Sequence, residues 1–162
     1  MKRKIMLLIL IVVLFNVFIL SDVPNRAEVL KEQVIAIQSE IKEQESHMIE
    51  LVFDIISYVE KYDKEKAEML RRVVNARGLE SDKLVEHIIN LIDSVADDYP
   101  ELQNSNEYKM MIGELKKIQN IITNTRNTYN SYVDKYNNYL EKFKEILNIL
   151  GHESRNYVMY EN

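Results

Sequence analysis

YKMMIGELKKIQNIITNTRNTYNSYVDKYNNYLEKFKEILNIL, residues 108–150, decides the fold of this chain. Tyr108, Met111, Leu115, Ile118, Ile122, Thr125, Tyr129, Tyr132, Tyr136, Tyr139, Phe143, Ile146 and Leu150 follow one another in alternating steps of three and four. Thr125 alone among them is polar. This rhythm puts all thirteen on one face of a single long helix that must pack against other helices. With Tyr108 at heptad position a, position e holds Ile112, Gln119, Arg126, Val133, Leu140 and Leu147, so the apolar face has the width of a multi-helix bundle.

The rest of the chain agrees. It holds only three Gly and two Pro among 162 residues, which argues for an all-α protein. Ala27 to Arg77 contains neither Gly nor Pro and reads as one long helix, or as two with a bend near Gln44–His47. Gly78 suits a helix exit and Ser81 a following N-cap. Leu84 to Ala96 is apolar enough for a bundle interior, and Pro100 ends that element. Asn104 and Glu107 form a capping-box pattern that starts the long helix. The predicted fold is an elongated antiparallel bundle of three to four helices.

Lys2, Arg3 and Lys4 precede the apolar run Ile5 to Leu20, which includes Leu7, Leu10, Val13, Phe15 and Phe18. As a helix the run is about 24 Å long against a hydrocarbon core of about 30 Å, a mismatch that flanking Lys stems and bilayer thinning cover. No A-x-A-like site follows it, so an uncleaved single-pass anchor is expected rather than a signal peptide. The predicted organisation is a cytoplasmic tip and anchor at 1–22, a bundle at 23–151 and a tail at 152–162. Beyond the three N-terminal cations, 18 basic residues face 26 acidic ones, a net of −8 that disfavours nucleic acid. The positive-inside rule sends this body out of the cytoplasm.

Catalytic signatures are absent from the sequence. Without Cys there is no disulfide framework, thiolate metal site or Cys nucleophile. Residues three before His47, His87 and His152 are Gln44, Leu84 and Ile149, so no Glu-x-x-His pair exists and the histidines read as surface or edge residues. No cofactor is expected, and the Tyr ladder reads as bundle filling. Gln119, Thr125 and Arg126 are the exception, a polar layer inside the apolar face. A guanidinium there needs a carboxylate, with Glu40, Glu43, Glu60 and Asp54 as candidates.

Tyr99-Pro100-Glu101-Leu102, Glu107-Tyr108, Arg126-x-x-Tyr129-Asn130 and Tyr136-Asn137 give the chain a resemblance to the LemA family of bacterial membrane-anchored proteins. Leu51-Val52, Tyr58 and Asn75-Ala76-Arg77 resemble its earlier helix. The chain departs from the family pattern at Glu43–Leu51, where two Arg, an Asp and a Pro are missing, at Gln119, which stands for an acid, and at Lys144, which stands for a Pro. The resemblance implies an anchored helical bundle with no established enzymatic activity. The expected role is therefore a membrane-anchored, non-enzymatic interaction or scaffold protein. Its expected partners are the membrane, another membrane or envelope protein, and a second copy of itself. Two alternatives are a self-assembling membrane-remodelling bundle and a ligand-binding protein or enzyme with a pocket near Gln119 and Arg126.

Overall fold

The computed structural model describes residues 2–77, 82–153 and 155–160, without the side chains of 2, 8, 14–19, 76–77 and 82–84. The chain is all-α. Its helices are α1 (Lys2–Val59), α2 (Lys64–Arg77), α3 (Asp82–Asp97), α4 (Pro100–Asn104), α5 (Asn106–Lys142) and α6 (Lys144–Ile149), with no strand among the described residues. Gly78 and Ser81, the expected cap residues between α2 and α3, lie outside the described residues.

Two compact units form. One comprises 1–38 with 127–162, the other 39–126. In the second, Ile55 and Ile56 of α1, Leu70 of α2, Ile88 and Ile92 of α3, Leu102 of α4 and Leu115 and Ile122 of α5 are fully buried. Each such side chain contributes about 1.5–3 kcal/mol relative to exposure. In α3, Val85, Ile88, Ile89, Ile92, Val95 and Ala96 make one apolar face, the i, i+3, i+4, i+7 pattern of a helix buried on one side. The first unit is built around Val23, Ala27 and Val34 of α1, Tyr129, Val133, Tyr136 and Leu140 of α5, and Leu147 of α6.

Several expectations are corrected. The first helix does not run to Arg77 and is not divided in two near Gln44–His47; it continues to Val59 and stops there. Asp63 is the reason, because its Oδ1 accepts the Lys66 backbone N–H at 3.0 Å and caps a new helix. Pro100 follows the end of α3, with Tyr99 out of helical geometry at φ −129° and ψ 87° as expected, but it also opens α4, since its missing N–H costs nothing at the first helical position. Ser105, not Asn104, caps α5, its hydroxyl accepting the Tyr108 N–H at 3.3 Å. The long helix breaks at Phe143, whose φ of −110° and ψ of 16° leave the helical region. Beyond that break Leu147 is buried while Leu150 is exposed, the reverse of the predicted seam.

The expected transmembrane helix is also unsupported. Among the described residues no helix is long and apolar enough to cross a membrane. The side chains of Phe15 and Phe18 lie outside the described set. What is described is an apolar helix end with Ile5, Leu7, Leu10, Val13 and Leu20 each 43–59% exposed.

Candidate functional site

The polar break predicted in the long helix is an ion pair. Arg126 leaves α5 from position e and is buried, and its Nη2 donates to Glu45 Oε1 of α1 at 2.8 Å. Glu45 was not among the four carboxylates expected. Gln119, about two turns earlier, and the adjoining Thr125 are half-buried, and the Gln119 carbonyl accepts the Thr123 hydroxyl at 3.1 Å. The guanidinium thus has its counter-charge from the scaffold itself, which is how a buried Arg is held.

A second polar system closes the end of the unit formed by 39–126. Tyr99 Oη donates to Asp63 Oδ2 at 2.9 Å, Lys66 pairs with Asp98, and Tyr108 Oη donates to Asp93 Oδ1 at 3.1 Å. Tyr58 and Ser105 share a hydrogen bond of 2.7 Å, and Arg71 pairs with Glu60. The Lys66 backbone and the Tyr99 hydroxyl hold the Asp63 carboxyl below its usual range. Burial, with Asp93 beside it, pushes the Tyr108 phenol well above the ordinary value. A cleft of about 580 Å³ beside this system is lined by Asp63, Glu65, Lys66, Glu68, Met69 and Arg72. Of these, Lys66 pairs with Asp98 and Arg72 with Glu68.

The third arrangement lies on α5 and the tail. Tyr129 and Tyr136 are buried, and each is followed by an Asn whose carboxamide grips the backbone of residues 155–160. Asn137 Nδ2 donates to the Tyr157 carbonyl at 2.9 Å and its Oδ1 accepts the Tyr157 N–H at 3.3 Å. Asn130 repeats this with Tyr160, at 3.0 and 2.8 Å. Tyr160 meets Tyr129 edge-on with ring centroids 5.1 Å apart, and Tyr157 meets Tyr136 likewise at 5.6 Å. Burial raises the Tyr129, Tyr136 and Tyr139 phenols above their ordinary value. Tyr139 is half-buried, and its hydroxyl donates to the Val23 carbonyl at 3.2 Å, one residue before Pro24 in α1. Tyr132 sits at the edge with Lys135 over its ring.

The tail contacts were missed in the sequence, although their signal was there: the same Tyr-Asn dipeptide twice, one heptad apart, on a face otherwise carrying charges. Of the remaining predicted residues, Tyr99, Leu102 and Tyr108 belong to the 39–126 unit, half-buried or buried, and Pro100 is exposed at the start of α4. His47 and His87 are exposed and His152 is half-buried. Among the described residues no group of three or more His, Cys, Asp or Glu is placed to hold a metal ion.

No curated protein and no solved structure matches this chain. The family model described as LemA family does, over residues 37–162. The matched region takes in Glu45 and Arg126, the polar system around Asp63 and Tyr99, and both Tyr-Asn dipeptides with the tail they hold, but not the apolar N-terminal run. On that match, which covers most of its length, the chain belongs to the LemA family.

Proposed function

We propose that this protein is a membrane-anchored, non-enzymatic interaction protein whose helical bundle presents binding surfaces outside the cytoplasm. The observation that carries the reading is the exposed apolar end of α1. Ile5, Met6, Leu7, Ile9, Leu10, Ile11, Val12 and Val13 are all 51–72% exposed, directly behind Arg3 and Lys4. A continuous apolar surface of this kind is unfavourable in water and marks a place where lipid or protein covers it. Residues 5–20 would cross as one single-pass span, with the cationic tip kept in the cytoplasm. Family membership is consistent with a membrane-associated protein.

The non-enzymatic part of the reading is supported by Arg126, which is engaged with Glu45, so the polar layer serves alignment rather than a reaction. Two measurements test the proposal. Full-length protein should stay in the membrane pellet through an alkaline carbonate wash and be released by detergent; complete release by carbonate overturns the anchor. Crosslinking in cells should then recover a reproducible membrane protein; repeated empty recoveries overturn the interaction role.

A further inference from the structure

We propose that the two Tyr-Asn pairs of α5 form a docking site for the C-terminal segment of a second copy of this chain. Tyr157–Tyr160 of one copy would seat on the other in the register that the tail occupies within its own chain. The inference rests on the interaction reading above and is independent of the anchor.

Recognition here is chiefly of main chain. A carboxamide offers one donor and one acceptor side by side, as a peptide group does, so Asn130 and Asn137 each bind both polar groups of one tail residue. This resembles the addition of a strand to a sheet edge, with the helix side chains standing in for the edge. The spacing fits as well. Seven helical residues rise about 10.5 Å, while three extended residues span about 10 Å, so the heptad of the helix and the triplet of the tail coincide. The rings add selectivity, because only a segment with aromatic residues three apart sets one against Tyr136 and one against Tyr129. Tyr157-Val158-Met159-Tyr160 is a segment of this kind, and it is present on every copy.

The tail is also joined so that it can leave. After α6, Gly151 takes a φ of +66° and the His152 N–H donates to the Leu147 carbonyl at 2.9 Å. Glu153, Arg155 and Asn156 that follow are exposed. A cleft of about 410 Å³, lined in part by Asn137, Asn148 and Asn156, opens beside this connection and gives a crossing chain room. Val158 is 85% exposed, so the clamp uses little of the tail beyond its backbone and two rings. Reciprocal exchange would keep every clamp contact and change only which chain supplies it, the low-cost route to a dimer.

The test mixes two differently tagged full-length chains in detergent. One carries Tyr157→Pro and Tyr160→Pro, which removes both rings and both tail N–H donors and leaves a groove without a competing tail; the other carries Asn130→Ala and Asn137→Ala, leaving a tail without a groove. The mixed pair should co-purify about ten-fold more than either variant with itself, because the intramolecular competitor is gone. Equal recovery in all combinations overturns the proposal. A second measurement leaves the protein unaltered. A synthetic peptide of residues 155–160 in excess should lower hydrogen-exchange protection of the Tyr157 and Tyr160 amides about ten-fold by displacing the tail. The same peptide N-methylated at those two amides should leave protection unchanged. No effect of the first peptide, or an equal effect of both, overturns main-chain docking. Failure here with a foreign membrane protein still recovered by crosslinking removes tail exchange alone, whereas an empty crosslinking result removes the interaction role itself.

Discussion

Cutting the buried ion pair from its two ends should give unequal losses. Glu45→Ala leaves the Arg126 guanidinium in the interior, where its side chain is 8% exposed, whereas Arg126→Met leaves a carboxylate that is 24% exposed and turns to water. Two charges about 4 Å apart attract by about 4 kcal/mol at an effective dielectric of about 20, and desolvation cancels much of this. Removing one partner of a fully buried pair costs about 3–5 kcal/mol, and the partial exposure of Glu45 lowers the expectation for Glu45→Ala to about 2–3 kcal/mol. Methionine fills the space of the Arg stem, so Arg126→Met should cost no more than about 1 kcal/mol. Combining the two should add little to the Arg126→Met loss, giving a coupling of about 2 kcal/mol. Urea unfolding of the full-length chain in detergent, followed by far-ultraviolet circular dichroism at neutral pH, measures all four corners of the cycle. Repeating it at high salt separates this pair from an exposed one, whose coupling would be screened away. Equal single losses that simply add, within about 0.5 kcal/mol, would refute the reasoning.

Further outcomes follow from the polar system around Asp63. The folded state holds Asp63 below its ordinary value through the Lys66 backbone and Tyr99, and Glu60 below its own through Arg71. Their contribution is therefore complete above the unfolded values of 3.8 and 4.5 and disappears as pH falls through the lower folded ones. Thermal melts from about pH 6 to pH 3 should show a shallower acid decline for the Asp63→Asn, Glu60→Gln double variant; parallel declines would contradict the assignment. Tyr108→Phe removes the bond to Asp93 and should cost about 0.5–1.5 kcal/mol in the same urea assay. An alkaline absorbance titration of the native protein should extend above the ordinary phenol value of 10.0. Tyr108, Tyr129, Tyr136 and Tyr139, raised by burial, and Tyr62 and Tyr99, raised first by hydrogen bonds to Tyr58 and Asp63, should ionise late, and complete ionisation around the ordinary value would show that they are not packed as described.

What the sequence could and could not convey is plainest along α5. Its helical state and approximate length follow from the spacing of apolar residues, because one long face must be covered. Which flank of that face turns inward does not. The predicted seam ran through positions a and d with e widening the face, yet e is buried at Ile112, Arg126, Val133, Leu140 and Leu147 and half-buried at Gln119, while d is buried at Ile118 and only half-buried at Met111, Thr125, Tyr132, Tyr139 and Ile146. Hydropathy ranks a tyrosine at d above an arginine at e, so a local reading chooses d. At Arg126 the burial depends on Glu45, 81 positions earlier in the chain, which supplies its counter-charge.

The same non-local logic governs the tail. Nothing within residues 152–162 requires order, and composition alone leaves a loose end. Its two tyrosines acquire a place through Asn130 and Asn137, which on the helix surface read as ordinary solvated residues. A helix heptad and an extended triplet share a length of about 10 Å, and that coincidence turns two neutral side chains into a register. Neither partner is informative alone. Breaking one of the two clamps should therefore loosen the tail only in part, since the remaining one still fixes its direction, whereas breaking both should release it. Hydrogen exchange at the Tyr157 and Tyr160 amides in Asn130→Ala, Asn137→Ala and the combined variant discriminates the cases. Protection lost only next to the altered Asn would mean two independent contacts, and a larger-than-additive loss in the combined variant would establish that the repeat acts as one site.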